Sequence, residues 1–231
     1  MIKGYSAEQL RAAEAPHLAA GVPLMKRAAT GLAREISGLL PAEGGRVLLL
    51  VGGGNNGADA LFAGAQLAEA GVDVAILRSS DRVHDEALTA AITAGAHVEF
   101  SVNAAAVAAT VDVIVDGILG IGRKSNDDSN RAVPAALRGN ARELVERVLP
   151  ALDAPKHPLV VAVDIPSGID PDDGTVPDPL VLPADVTVTF GGYKAGLLIE
   201  PARSLAGAVK LIDIGLGPDL DQVEPLVRVE G

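Results

Sequence analysis

The sequence predicts an α/β protein: a mainly parallel sheet with helices on both faces. Three observations point there. From residue 46 onward, short runs of branched apolar residues alternate with helix-length segments, two of them closed by glycine at Gly71 and Gly95. That is the rhythm of successive βα units. Hydrophobic residues make up 48% of the chain and aromatics only 2%, so the core is built from Val, Leu, Ile and Ala, as in strands buried on both faces. The first strong apolar run, Val47 to Val51, passes straight into Gly52-Gly53-Gly54-Asn55-Asn56-Gly57. This is a glycine-rich strand-to-helix turn with the Gly-x-Gly-x-x-Gly spacing of a dinucleotide loop.

The elements follow in order. Ser6-Ala7-Glu8-Gln9 reads as a capping box that starts a helix at Ser6. A second helix follows Pro23, with Met25, Ala29, Leu32, Ile36 and Leu39 at helical spacing, and ends by Pro41 and Gly44-Gly45. Strands are expected at 46–51, 73–77, 97–100, 113–116, 159–163, 184–190 and 208–213. Helices are expected at 57–70, 83–94 and 132–148. The stretch 120–130 is polar and glycine-bearing, and 165–183 holds five prolines and two glycines, so both read as loops. No repeat or linker divides the chain, and one domain over residues 1–231 is expected. The two N-terminal helices are expected to pack across the sheet or to form an oligomer contact.

Composition excludes several functions. The net charge of −11 repels phosphate backbones, so nucleic acid and anionic membranes are poor partners. With no cysteine there are no disulfides, thiolate metal sites or cysteine nucleophiles. The four histidines, His17, His84, His97 and His157, are scattered without ligand spacing, which argues against zinc. The N-terminus has no apolar signal core, and no stretch approaches ~18 unbroken apolar residues. A soluble cytoplasmic protein is expected.

In open α/β sheets ligands bind beyond the carboxyl ends of the strands. Three strand ends here supply Asn55, Asn56 and Asp59, then Asp116, then Asp164 and Ser167. A carboxylate closing an apolar strand is partly desolvated and needs a partner. Each aspartate alone reads as a turn or helix cap, whereas two beside an Asn-Asn turn on one sheet edge read as a site. Arg78-Ser79-Ser80, where a ribose-binding acid would normally stand, would suit a 2′-phosphate or be a solvated turn. Lys194, after the strand ending at Phe190, either reaches the same edge or lies on the surface.

The segments "VLLLVGGGNNGADALFAGAQLAEAGVDV", "VIVDGILGIG", "VVAVDIPSGID" and "ADVTVTFGGYKAGLL", in this order and with "LMKRAATGLA" before them, resemble the NAD(P)H-hydrate epimerases, the YjeF N-terminal domain family. The resemblance runs from about residue 6 to 216. It implies a Rossmann-like three-layer αβα sandwich and interconversion of the R and S forms of hydrated NADH or NADPH, which act as substrate rather than cofactor. It further implies one potassium ion per subunit and a dehydratase partner, separate or fused; relatives are often homodimers. Carried over by motif, Asn55, Asn56, Gly57, Ala58 and Asp59 fall on the substrate, as do Gly120, Ile121, Gly122, Arg123, Lys124, Ser125, Asn126 and Asp164. Asn56, Asp116 and Ser167 fall on potassium. Asp164 is the first choice as general acid/base, with Lys194 as helper.

The chain departs from the family pattern at Gly52-Gly53-Gly54, Ala58, Ala60, Ile121 and the segment "RKSNDD". The methyl of Ala58 is expected where the backbone approaches the ligand. Two other readings compete. One is an NADP-dependent oxidoreductase, suggested by the glycine turn and Arg78. The other is a non-catalytic scaffold module of the same fold.

Overall fold

The computed structural model describes residues 1–121 and 135–230. Seven strands form the main sheet: β2 (Arg46–Val51), β3 (Asp73–Arg78), β4 (His97–Val98), β5 (Val113–Gly117), β6 (Leu159–Val163), β7 (Val186–Phe190) and β9 (Ala208–Ile212). Their order is β4-β3-β2-β5-β6-β7-β9 and every pairing is parallel. Strand order therefore reverses between β2 and β5, the topological switch point of a doubly wound sheet.

Side-chain alternation explains the layers. Val47, Leu49 and Val51 of β2 point into one apolar cluster with α2 (Leu24–Ser37), α3 (Asn55–Glu69) and α4 (Asp85–Thr93). Leu48 and Leu50 point into the opposite cluster, with α5 (Ala104–Ala108) and α6 (Gly139–Val148). The continuous hydrophobic run of β2 is thus a strand covered on both faces. With α2 packed against α3, β7 and β9, that helix lies across the sheet, the first of the two placements expected for it.

A second sheet, of order β10-β1-β8, has no counterpart in the sequence reading. Its strands are β1 (Ile2–Tyr5), β8 (Tyr193–Lys194) and β10 (Val227–Val229). β1 pairs antiparallel with β10 and parallel with β8, with Tyr5 opposite Lys194. Strands this short carry no periodicity, and each exists only through a partner distant in sequence. The sheet fixes the start of α1 (Ala7–Ala19), whose capping box at Ser6 and Gln9 is formed on both sides. Two short helices, α7 (Ala202–Leu205) and α8 (Gly217–Leu220), complete the fold. No helix is long and apolar enough to cross a membrane among the described residues.

Three expected helix starts move, and α4 begins at Asp85 rather than 83. Helix α3 begins at Asn55 rather than Gly57, because Gly54 takes the N-cap position in an extended conformation. Helix α6 begins at Gly139, where the sequence suggested 132. Arg138 is extended and Gly139 has φ +51°, so the chain before it is not helical over 135–138; residues 132–134 lie outside the described residues. The strand expected at 97–100 shortens to His97–Val98.

Candidate active site

The switch point is built by two glycine-rich strand ends that touch. Gly52 N donates to the Gly117 carbonyl at 3.0 Å, and a Cβ on Gly52 would land on the Ile118 carbonyl. A Cβ on Gly57 would land on the Gly52 carbonyl, so the turn into α3 closes only with hydrogen at both positions. Gly54 offers α3 no side-chain cap. The first intrahelical bond at this end runs from Ala58 N to Gly54 O, 3.2 Å. Among the described residues the N–H groups of Asn55, Asn56 and Gly57 have no acceptor, a geometry suited to an anion.

Asn56 is the bolt of the site. It is buried, and its Nδ2 donates to the carbonyls of Leu119, after β5, and Val163, at the end of β6. A Cβ on Gly120 would fall on the Asn56 amide. Asp116 is fully buried at the end of β5. Its Oδ2 accepts from Ser167 N at 2.8 Å, and its Oδ1 accepts from Ser167 Oγ at 2.7 Å and Ile118 N at 3.3 Å. Ser167 Oγ in turn accepts from Leu119 N at 2.8 Å. Burial pushes the Asp116 carboxyl up from its ordinary range, and the bonds from Ser167 and Ile118 oppose that. Asn56, Asp116 and Ser167 are therefore one oxygen-rich cluster joining three strand ends.

Asp164 and Lys194 meet beside it. Asp164 has φ +68°, the one non-glycine in the left-handed region among the described residues. Aspartate is among the few side chains that tolerate this conformation. The bend turns the carboxylate back over β7, where Oδ1 accepts from Phe190 N at 3.1 Å, Thr189 Oγ1 at 3.2 Å and the Lys194 ammonium. Lys194 is 2% exposed and also donates to Thr189 Oγ1 and the Phe190 carbonyl, both at 3.1 Å. It is not a surface lysine.

Asp59, one turn into α3, is different. It is buried, and its Oδ1 accepts no hydrogen bond from any described residue. Burial first, then the charges of Asp164 and Glu14, hold its carboxyl well above the usual range, with Lys194 opposing. Glu14 of α1 is also raised, by burial and by Asp164, against Lys194 and Arg11. Arg11 Nη1 donates to the Ile121 carbonyl at 2.8 Å, so α1 leans on the segment that follows β5.

The structure thus brings Asn56, Asp59, Asp116, Asp164, Ser167, Lys194 and Gly120 to one edge. Asn55 is exposed at the first position of α3. Ile121 is half-buried against the apolar clusters, while Gly122, Arg123, Lys124, Ser125 and Asn126 lie outside the described residues. The methyl of Ala58 is fully buried in the core, and its N–H bonds the Gly54 carbonyl at 3.2 Å, because the helix starts two residues earlier than expected. Ser79 is buried and its Oγ donates to the Val51 carbonyl at 3.1 Å, tying the end of β3 to the end of β2, and Arg78 is exposed. Glu14 and Arg11 are site residues the sequence reading missed. The signal was present in α1, where they sit three apart on one helix face, but nothing local places α1 beside the site.

Fold and site together define a doubly wound α/β protein with a buried, carboxylate-rich centre at its switch point. The chain belongs to the YjeF-related protein N-terminus family, whose model matches residues 21–196. It is 49% identical over 230 residues to the NAD(P)H-hydrate epimerase of Clavibacter michiganensis subsp. michiganensis, covering 97% of this chain and 95% of that protein. It is 42% identical over 223 residues to the bifunctional NAD(P)H-hydrate repair enzyme of Mycobacterium tuberculosis, covering 92% of this chain and 41% of that protein. Among solved structures, the yeast protein YNL200c shares the fold with a TM-score of 0.69 at 19% identity, over 91% of this chain and 87% of the yeast chain.

Proposed function

We propose that this chain interconverts the R and S epimers of hydrated NADH or NADPH, an isomerase reaction in nicotinamide-cofactor repair. The observation that carries the reading is the meeting of three features at one switch point: an uncapped helix end suited to phosphate, the Asn56–Asp116–Ser167 cluster, and the buried carboxylates Asp59 and Asp164 with Lys194. The names of the relatives supply the substrate. Epimerisation inverts the carbon bearing the hydroxyl and needs no redox partner. It needs an acid/base group near that hydroxyl and an environment that stabilises a short-lived cation. Asp164 is positioned for acid/base work, with Lys194 fixing its orientation.

A potassium ion fits the Asn56–Asp116–Ser167 cluster. The donors would be one fully buried carboxylate, an amide oxygen and a hydroxyl, which suit a hard cation of low charge. Among the described residues no three His, Cys, Asp or Glu side chains gather as a denser metal centre would require. The ion would screen the carboxylates and tie the ends of β2, β5 and β6 together. The bifunctional relatives support a dehydratase as functional partner, consuming one of the two epimers.

The test is the R to S ratio of hydrated NADH followed by chromatography, with potassium present or replaced by a larger monovalent cation. Equilibration many times faster than the enzyme-free control, and faster with potassium, is expected. A rate equal to the control under both conditions rejects the reading.

A further inference from the structure

We infer that Asp59 is the general acid of this site. The inference rests on the epimerase reading and assigns the proton within it.

The charge count leads there. Three carboxylates, Glu14, Asp59 and Asp164, lie within electrostatic reach of one ammonium, Lys194. Asp164 holds that ammonium in a direct ion pair, and the same Oδ1 takes two further donors. Arg11, the other cation facing Glu14, directs its guanidinium at the Ile121 carbonyl. Asp59 and Glu14 have no ion pair among the described residues, and the charge of Glu14 bears on Asp59. Like charges in a desolvated site do not ionise together, so such a pair retains a proton. The buried member is the proton's place. Asp59 is 6% exposed with an oxygen that no described residue bonds, whereas Glu14 is half-buried and open to solvent. Two carboxylates in contrasting settings, one tied to a lysine and one neutral, mark separate roles.

The step balances. Asp59 gives its proton to the hydroxyl of the hydrated ring, the C–O bond breaks with both electrons leaving on oxygen, and water departs. The ring nitrogen shares its lone pair with the cationic carbon, which is planar and open on both faces. Water adds to the opposite face and gives a proton to the Asp164 carboxylate, and exchange with solvent then returns a proton to Asp59 and frees Asp164. One proton leaves Asp59 and one comes back, with no oxidant or reductant.

The experiment is the pH profile of epimerisation for wild type, D59N, E14Q and E14D, with carboxyl infrared spectra of the same proteins. D59N is expected to lower kcat at least about a hundredfold, with KM changed far less. E14Q is expected to move the alkaline limb of the profile to lower pH, since Asp59 then loses a like charge that raises it, and E14D to restore that limb. D59N with near wild-type kcat, or an E14Q profile superimposable on wild type, overturns the assignment. If the wild type does not epimerise at any pH, the epimerase reading fails separately. The spectra then decide the proton: a carboxylic-acid carbonyl band at neutral pH that vanishes in D59N upholds its place on Asp59, and an unchanged spectrum overturns it.

Discussion

Lys194 and Asp164, 30 residues apart, form an ion pair in which the two side chains are 2% and 6% exposed. Breaking such a pair from one side leaves a buried charge alone. Lys194→Met is therefore expected to cost about 3–5 kcal/mol in urea unfolding. Here the loss also strands Glu14, Asp59 and Asp164 with no shared ammonium. The double variant Asp164→Asn/Lys194→Met is expected to recover much of that cost. Additive costs for the two single variants would show that the pair is not coupled.

Asp164→Asn keeps the shape of the side chain while losing its charge. Turnover is expected to fall more than about tenfold, because general acid/base contributions usually exceed that. The circular dichroism spectrum should be unchanged. Unaltered epimerisation kinetics would remove Asp164 from the mechanism.

Much of this centre is legible in the sequence because each carboxylate ends a strand. Val113 to Asp116 and Leu159 to Asp164 are apolar runs stopped by a charge, and topology alone then puts both charges on one edge. The role of Asn56 was less legible. Its reach to Leu119 and Val163 depends on α3 starting at Asn55, which follows from Gly54 as N-cap and not from apolar periodicity. Glu14 was invisible. It reaches the site because β1 pairs with β8, a two-residue strand, and that pairing swings α1 against Lys194. Contacts made through such short strands leave no local pattern to read.

The Asn56–Asp116–Ser167 cluster predicts a potassium effect measurable without turnover. At constant ionic strength the thermal midpoint is expected to rise when tetramethylammonium is replaced by potassium, since an ion that binds only the folded chain stabilises it by mass action. Asp116→Asn should abolish the difference. Ser167→Ala should weaken it and also cost about 1–3 kcal/mol, because Leu119 N and Asp116 each lose a partner. Midpoints that do not distinguish the two cations would rule out the site.

The glycine turn makes a contrast between neighbours. In Gly52→Ala the new methyl meets the Ile118 backbone, with Cα only 3.0 Å away, and neither strand end can yield without the other. An overpacking cost of about 1–3 kcal/mol or more is expected. At Gly54 a Cβ meets nothing within 4 Å and φ is −100°, so Gly54→Ala should lose only the modest N-cap preference, about 1 kcal/mol or less. Equal unfolding midpoints for the two variants would refute the close approach of β2 and β5.

Asp59 links function to pH-dependent stability. Its carboxyl is raised in the folded chain, by burial and by the charges of Asp164 and Glu14. The folded state therefore binds a proton that the unfolded state has released once pH exceeds the ordinary aspartate value of about 3.9. Stability from this group is complete below that value and declines as pH rises toward the raised one. Asp59→Asn has no such slope. The variant should gain on wild type as pH rises above about 4 toward the raised value, each kcal/mol appearing as roughly 2–4 °C of midpoint for a chain of this length. Glu14→Gln should end the decline at a lower pH by removing one of the charges that raise Asp59. A midpoint gap that stays constant across this range would mean that Asp59 titrates alike folded and unfolded. A gap that widens with pH would show that the folded chain holds Asp59 protonated above the ordinary aspartate range.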